Sequence, residues 1–290
     1  MTRALDAGHG GREIAWEVHG LRYAGLAWGE PDAPGILALH GWLDNAASFA
    51  QLAPLLEGYY VVAPDLSGHG LSDHRAAHAS YQIWDDLPEL ERITSELGWQ
   101  RFNLIGHSRG AVIATLLASA VPERVERLVL LDGIAPEPVA PGDFPQQLAR
   151  AMKDKAQITK RQRRVYPQAE LAMAAREKRG LSAAAARVIT GRSLQTVAGG
   201  VTWRTDARLH GASAVKMTHE QSNAVLRALT MPTCLLVAGD SDAMAQRWMT
   251  DRAREQIPDL QVHTIAGGHH FHLEAGAQDA AQRINVFMNE

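Results

Sequence analysis

Gly106 His107 Ser108 Arg109 Gly110 lies between an apolar run, Arg101 Phe102 Asn103 Leu104 Ile105, and a stretch of small residues at 111–120. The run reads as a short buried strand, and the small residues as a helix packed closely on a sheet. The residue at the centre of such a turn is held in a strained backbone conformation, which bulky neighbours would not tolerate. Gly106 and Gly110 supply the room, and the turn would present Ser108 as a nucleophile. A bare G-x-S-x-G also occurs by chance in glycine-rich turns. Its flanking strand and helix therefore carry the reading.

Outward from that turn, short strand-like runs alternate with glycine-bearing loops and helical stretches. Residues 13–18 and Leu21–Trp28 read as a hairpin around Gly20, followed by strands at 36–39, 60–63, 102–105 and 128–131. This alternation predicts an α/β fold with a mainly parallel sheet and helices on both faces. From 145 to 230 alanine, arginine and glutamine dominate, and no strand is expected before Thr233–Ala238. A helix at 245–256, a strand at Leu260–Ile265 and a last helix at 274–288 complete the pattern. The expected organisation is a core at 1–135, a helical insertion at 136–228 and a second core part at 229–290.

The bulk properties limit the alternatives. A chain of 290 residues with 46% hydrophobic and 21% charged residues can bury a sizeable core and has an ordinary globular composition. A net charge of −3 gives no global drive toward nucleic acid or membrane. The single cysteine, Cys234, excludes an internal disulfide and a cysteine-based zinc cluster. The start, Met1 Thr2 Arg3 Ala4 Leu5 Asp6, has no apolar leader, and no run of 18 apolar residues occurs, so a cytoplasmic protein is expected. Charge is nevertheless uneven, with ten Lys or Arg against three Asp or Glu in 144–180, including Lys160 Arg161 Gln162 Arg163 Arg164. That stretch is either a solvated helix face or a basic lid attracting anionic substrates. Glu89, Glu91 and Glu96 are expected on an exposed helix face. Trp84, Trp203, Met152 and Met173 read as core or pocket lining.

A serine hydroxyl needs a base within hydrogen-bond reach and a third group to orient that base. Gly267 Gly268 His269 His270 Phe271 His272 Leu273 Glu274 follows the last strand, where a hydrolase of this topology places its histidine. For the acid, Asp242 is the first choice, beside Asp240 at the end of Thr233–Ala238. Asp132, which ends the strand at 128–131, is the alternative. Two backbone donors are also required for a developing oxyanion. The N–H of Arg109 would be one, and the loop His40 Gly41 Trp42 Leu43 Asp44 Asn45 would supply the other through Trp42. His40, Gly41, Trp42 and Arg109 are thus expected to border the substrate.

Taken together, His40–Trp42, Asp65 Leu66 Ser67 Gly68 His69 Gly70 Leu71 Ser72, the turn at Ser108 and the late Asp and His resemble the α/β-hydrolase fold family over nearly the whole chain. Within it, His40 Gly41 Trp42 Leu43 Asp44 Asn45 Ala46 Ala47 Ser48 Phe49 with Gly68 His69 Gly70 Leu71 Ser72 looks most like the serine-hydrolase-like proteins. Thr205 Asp206 Ala207 Arg208 Leu209 extends that likeness more weakly. The resemblance implies a cap over the sheet, no cofactor or metal, and Ser108, an Asp and His269 as triad. The H-x-x-H-L-E pattern common there falls on His269 rather than His270.

Arg109 departs from the family pattern, since an apolar or aromatic residue usually follows the nucleophile. A buried guanidinium needs a partner, either Asp44, Asp132 or another carboxylate of the chain, or the carboxylate of a substrate. The leading expectation is a carboxylic ester hydrolase acting on small to medium substrates, anionic ones included. Lactone, thioester or carbon–carbon bond hydrolysis on the same residues is the near alternative, and a non-catalytic binding or scaffold protein the distant one. Ser108 disfavours dehalogenation and epoxide hydrolysis, which use a carboxylate nucleophile.

Overall fold

The computed structural model describes residues 10–158, 160 and 163–290. The expected leaderless start at 1–6, and Arg161 and Gln162 of the basic stretch, lie outside the described residues. Among the described residues ten strands follow in chain order: β1 (Arg12–Val18), β2 (Leu21–Trp28), β3 (Gly35–Leu39), β4 (Tyr60–Pro64), β5 (Phe102–His107), β6 (Val125–Leu131), β7 (Leu194–Val197), β8 (Gly200–Trp203), β9 (Thr233–Ala238) and β10 (Leu260–Ile265). The helices are α1 (Leu87–Glu96), α2 (Arg109–Ala120), α3 (Phe144–Ile158), α4 (Ala169–Glu177), α5 (Ala183–Ser193), α6 (His219–Arg227), α7 (Ala243–Gln256) and α8 (Ala277–Met288).

Eight strands form one sheet in the order β1-β2-β4-β3-β5-β6-β9-β10. The β1–β2 and β2–β4 pairings are antiparallel and all others parallel, so the expected mainly parallel α/β sheet is what the chain builds. Its central strands are near-continuous apolar runs because both faces are covered. In β3, Leu37 and Leu39 enter one hydrophobic cluster while Ile36 and Ala38 enter the other. The same alternation sends Leu128 and Leu130 of β6 to the first face and Val129 and Leu131 to the second. The two-residue period of a strand therefore fixes the register of each core layer.

Two expectations need correction. The segment between β6 and β9 is mostly helical but contains the antiparallel hairpin β7–β8, turning at Ala198–Gly199. Gly199 and Gly200 have φ of 84° and 143°, a conformation open to glycine, and the flanking runs Leu-Gln-Thr-Val and Gly-Val-Thr-Trp pair across them. The overlooked signal was Gly-Gly between two short β-prone runs. Glu89 is likewise not on an exposed face: it is buried, 3.2 Å from the Arg75 guanidinium. Pairing is what makes a buried carboxylate tolerable. Glu96 is exposed, and of the proposed pocket-lining residues Met173 is buried whereas Met152 stands in solvent.

Polar contacts fasten the inserted segment to the sheet. Arg192 of α5 donates to both carboxylate oxygens of Asp65, at 3.0 and 2.8 Å, and to Glu13 at 2.6 Å. The Asn45 amide donates to the Ile189 carbonyl at 2.8 Å, and the Tyr81 hydroxyl to Asp206 at 2.9 Å.

Candidate active site

Ser108 sits between β5 and α2 with φ 52° and ψ −115°, a region closed to most side-chain-bearing residues. Such a conformation costs about 1–3 kcal/mol and persists only where the surroundings enforce it. Here the Ser108 N–H donates to the Leu131 carbonyl of the neighbouring strand at 2.9 Å, and packing holds both flanks. A Cβ on Gly106 would stand 2.4 Å from the Gly110 carbonyl oxygen, and one on Gly110 2.0 Å from that of Leu39. Both positions therefore exclude side chains. Arg109 opens α2, so its N–H has no acceptor one turn back in the helix.

Of the two carboxylates considered for the base, the structure brings Asp132 to His269. Asp132 Oδ2 lies 2.5 Å from His269 Nδ1, while its Oδ1 accepts from the Ala238 N–H at 3.0 Å. That second bond comes from the end of β9 and aims the carboxylate. Asp132 itself has φ 49°, so the chain bends sharply at the end of β6 to present it. Asp242, the first choice from sequence, is placed otherwise: it is the N-cap of α7, and its Oδ1 accepts from Met244 and Ala245 N–H at 3.1 and 3.0 Å. A capping carboxylate satisfies the open helix N-terminus and is spent on it. Asp240 is exposed.

His40, expected beside the substrate, is fully buried. Its Nδ1–H donates to the Gly41 carbonyl at 2.8 Å and its Nε2 accepts from the Leu66 N–H at 2.9 Å. It shapes the loop rather than lining the cavity. His69 does the same from the other side, with Nδ1–H donating to Ser67 O at 3.0 Å and Nε2 accepting from the Leu43 N–H at 3.3 Å. Burial lowers the proton affinity of both rings, and the electrostatic proximity of His40 lowers that of His69 further. Gly41 and Trp42 do border the cavity of about 210 Å³ that Ser108 and His269 also line. The Trp42 indole N–H donates to Leu209 O of the inserted segment at 2.9 Å.

The alpha/beta hydrolase fold family model matches residues 34–276. This chain belongs to the α/β-hydrolase family. The chain is 30% identical to a serine hydrolase-like protein of Dictyostelium discoideum over 97% of its own length and 82% of that protein. With the human serine hydrolase-like protein it shares 44% identity over 110 residues, 38% of this chain and 54% of the human one, so the match spans about half of that relative. Among solved structures it is similar to a hypothetical protein from Pseudomonas aeruginosa PAO1, with 40% identity, 96% and 99% of the two chains covered and a TM-score of 0.91. It is also similar to a thioesterase domain from a curacin biosynthetic pathway, at 26% identity, 97% and 99% coverage and a TM-score of 0.80. No helix among the described residues is long and apolar enough to cross a membrane.

Arg109 has none of the protein partners considered for it. Its Nη1 is buried with no hydrogen-bond partner among the described residues, and Asp44 and Asp132 are bonded to other groups. Burial weakens its hold on the proton, and the more distant Asp86 and Asp85 partly offset this. The side chain lines a cavity of about 300 Å³, together with Trp42, Arg150, Asp154 and His210. Trp42 is common to this cavity and to that of Ser108.

Beside Ser108 the chain packs a group of residues that sequence reasoning did not assemble. His107 is fully buried, with ring centroids of His269, His270 and His272 at 4.7, 4.9 and 4.1 Å. Burial, and then those three imidazoles, keep it neutral far below ordinary histidine pH. Asp44 Oδ2 accepts from His270 Nε2 at 3.1 Å, and its Oδ1 accepts from the Arg176 guanidinium of α4. Burial alone would raise the Asp44 pKa. The bond from His270, with Arg176 and His107 nearby, more than reverses that and holds it below the usual carboxylate range. The available signal was three polar residues flanking known motifs: Asp44 two after Trp42, His107 before Ser108, and His270 after His269.

Proposed function

We propose that this α/β-hydrolase cleaves carboxylic esters through an acyl-enzyme, with Ser108 as nucleophile, His269 as base and Asp132 as the acid that orients it. The observation that carries the reading is the 2.5 Å contact between Asp132 Oδ2 and His269 Nδ1, which leaves His269 Nε2 for the cavity shared with Ser108. Ser108 Oγ attacks the carbonyl carbon as its proton passes to Nε2. The leaving alcohol then takes that proton, and water activated by the same nitrogen releases the acid. The N–H groups of Trp42 and Arg109 serve the oxyanion. The segment 136–228 acts as the cap, and Gly41 and Trp42 border the substrate.

The unpartnered Arg109 guanidinium supports a preference for substrates carrying a carboxylate, which would reach it past Trp42. A thioester, as the name of the curacin-pathway domain suggests for that protein, would use the same residues. The test is intact-mass spectrometry after a fluorophosphonate probe, wild type beside Ser108→Ala, with the modified peptide mapped. One adduct on Ser108, absent from the variant, is expected. A folded wild type that takes no adduct, while a smaller acylating probe also fails, would turn the reading toward a binding protein retaining the fold.

A further inference from the structure

His107 Nε2 lies 2.9 Å from the His269 carbonyl, which can only accept, so Nε2 carries the hydrogen and Nδ1 carries the lone pair. That lone pair is buried without a hydrogen-bond partner among the described residues and faces Asp44 Oδ2 at 3.9 Å. Two acceptors thus confront each other with no donor between them. The space beside them is kept open by Gly41, whose absent Cβ would stand 2.9 Å from His107 Nδ1 and 3.0 Å from Asp44 Oδ2. His270 Nε2 reaches the same oxygen from the other side at 3.1 Å.

We infer that Asp44, His107 and His270 form a binding site for a divalent transition-metal ion of the zinc class, and that its occupation inhibits the hydrolase. One donor atom from each residue lies within 4.8 Å of the others. A tetrahedral zinc ion with bonds of about 2.0–2.2 Å wants its ligands about 3.4 Å apart, so the widest pair would have to close by up to about 1.4 Å on binding. Two imidazoles and one carboxylate suit zinc, cobalt or iron(II) better than calcium or magnesium. His270 would bind by moving its hydrogen to Nδ1 and turning the Nε2 lone pair inward. Arg176 on Asp44 Oδ1 would leave Oδ2 for the metal and fix the carboxylate from outside. The fourth position would open on the cavity shared with Ser108 and His269. The His269 ring lies 4.7 Å from that of His107 and 5.2 Å from that of His270, so a bound dication would repel the imidazolium that forms on His269 during acyl transfer.

The inhibitory half of this inference rests on the hydrolase reading; the binding half does not. Calorimetric titration of zinc chloride into the Ser108→Ala protein therefore measures the site without turnover. One ion per chain is expected. His270→Gln should weaken binding by more than about tenfold, and His269→Gln should leave it intact. Should His270→Gln fold poorly by circular dichroism, the visible absorption of cobalt(II) bound to the wild type reports imidazole coordination instead. In wild type, zinc should lower ester turnover and a chelator restore it, with His270→Gln blunting the effect. No binding, or binding lost with His269→Gln and kept with His270→Gln, overturns the site. Binding without inhibition overturns its regulatory role.

Discussion

Two adjacent histidines each meet a carboxylate, and the two pairs are built in opposite senses. His269 uses Nδ1 on Asp132 and has a half-exposed ring, whereas the more buried His270 uses Nε2 on Asp44. Asp44 is also neutralised by Arg176, while among the described residues Asp132 has no ion-pair partner but His269. A carboxylate with no other cation is free to stabilise an imidazolium as it forms. One already compensated by arginine serves mainly to hold elements together. On the proposed triad, chemistry and scaffold would be distinguished by the second partner of the carboxylate, not by the histidine itself.

The sharpest way to break this contrast is Asp132→Asn, which should lower kcat by about 10³–10⁴, read by steady-state ester turnover. Asp44→Asn should instead leave Arg176 without its counter-charge, costing about 3–5 kcal/mol in urea unfolding, and lower kcat far less than Asp132→Asn. Equal losses of kcat in the two variants would erase the distinction.

A third test turns on His40 and His69, whose Nε2 atoms accept backbone N–H groups and must stay neutral. Their folded pKa values are depressed, so the unfolded chain binds protons that the folded one refuses. Stability is therefore full above about pH 6.5 and falls as pH drops toward the folded values, by up to about 1.4 kcal/mol per unit for each ring. Denaturation curves between pH 7.5 and 5.5 measure it, and a flat profile contradicts it. A smaller effect is expected from Arg109→Leu: kcat/KM for esters bearing a carboxylate should fall about 10–100-fold while neutral esters are spared. The smallest belongs to Asp242→Ala, about 1 kcal/mol of stability from the lost helix cap with kcat unchanged.

Most of the sheet was legible because burial on both faces writes central strands such as Thr233–Ala238 as apolar runs, while the half-buried edge strand Leu260–Ile265 shows as apolar–polar alternation; both, with Leu21–Trp28, are read to the residue. Glycines and chain order single out Ser108 and His269 in the sequence, and the structure places both on one cavity. The partner of His269 was not, because both Asp132 and Asp242 end a strand of the same sheet. What separates them is the bend at Asp132 and the Ala238 N–H donated from β9, a bond spanning 106 residues that no local pattern records. Arg109 was visible as an oddity, but its lack of a protein partner depends on which carboxylates other residues have already taken.

The fastening of the inserted segment bears on how such molecules diversify. Arg176 and Arg192 reach down from it to Asp44 and Asp65, both fully enclosed by the sheet and its loops. A roof transplanted from a relative would strand those two carboxylates unless its own arginines arrived at the same places. The segment is therefore coupled to two aspartates far away in the chain, and any replacement for it would have to supply the same pair of cations.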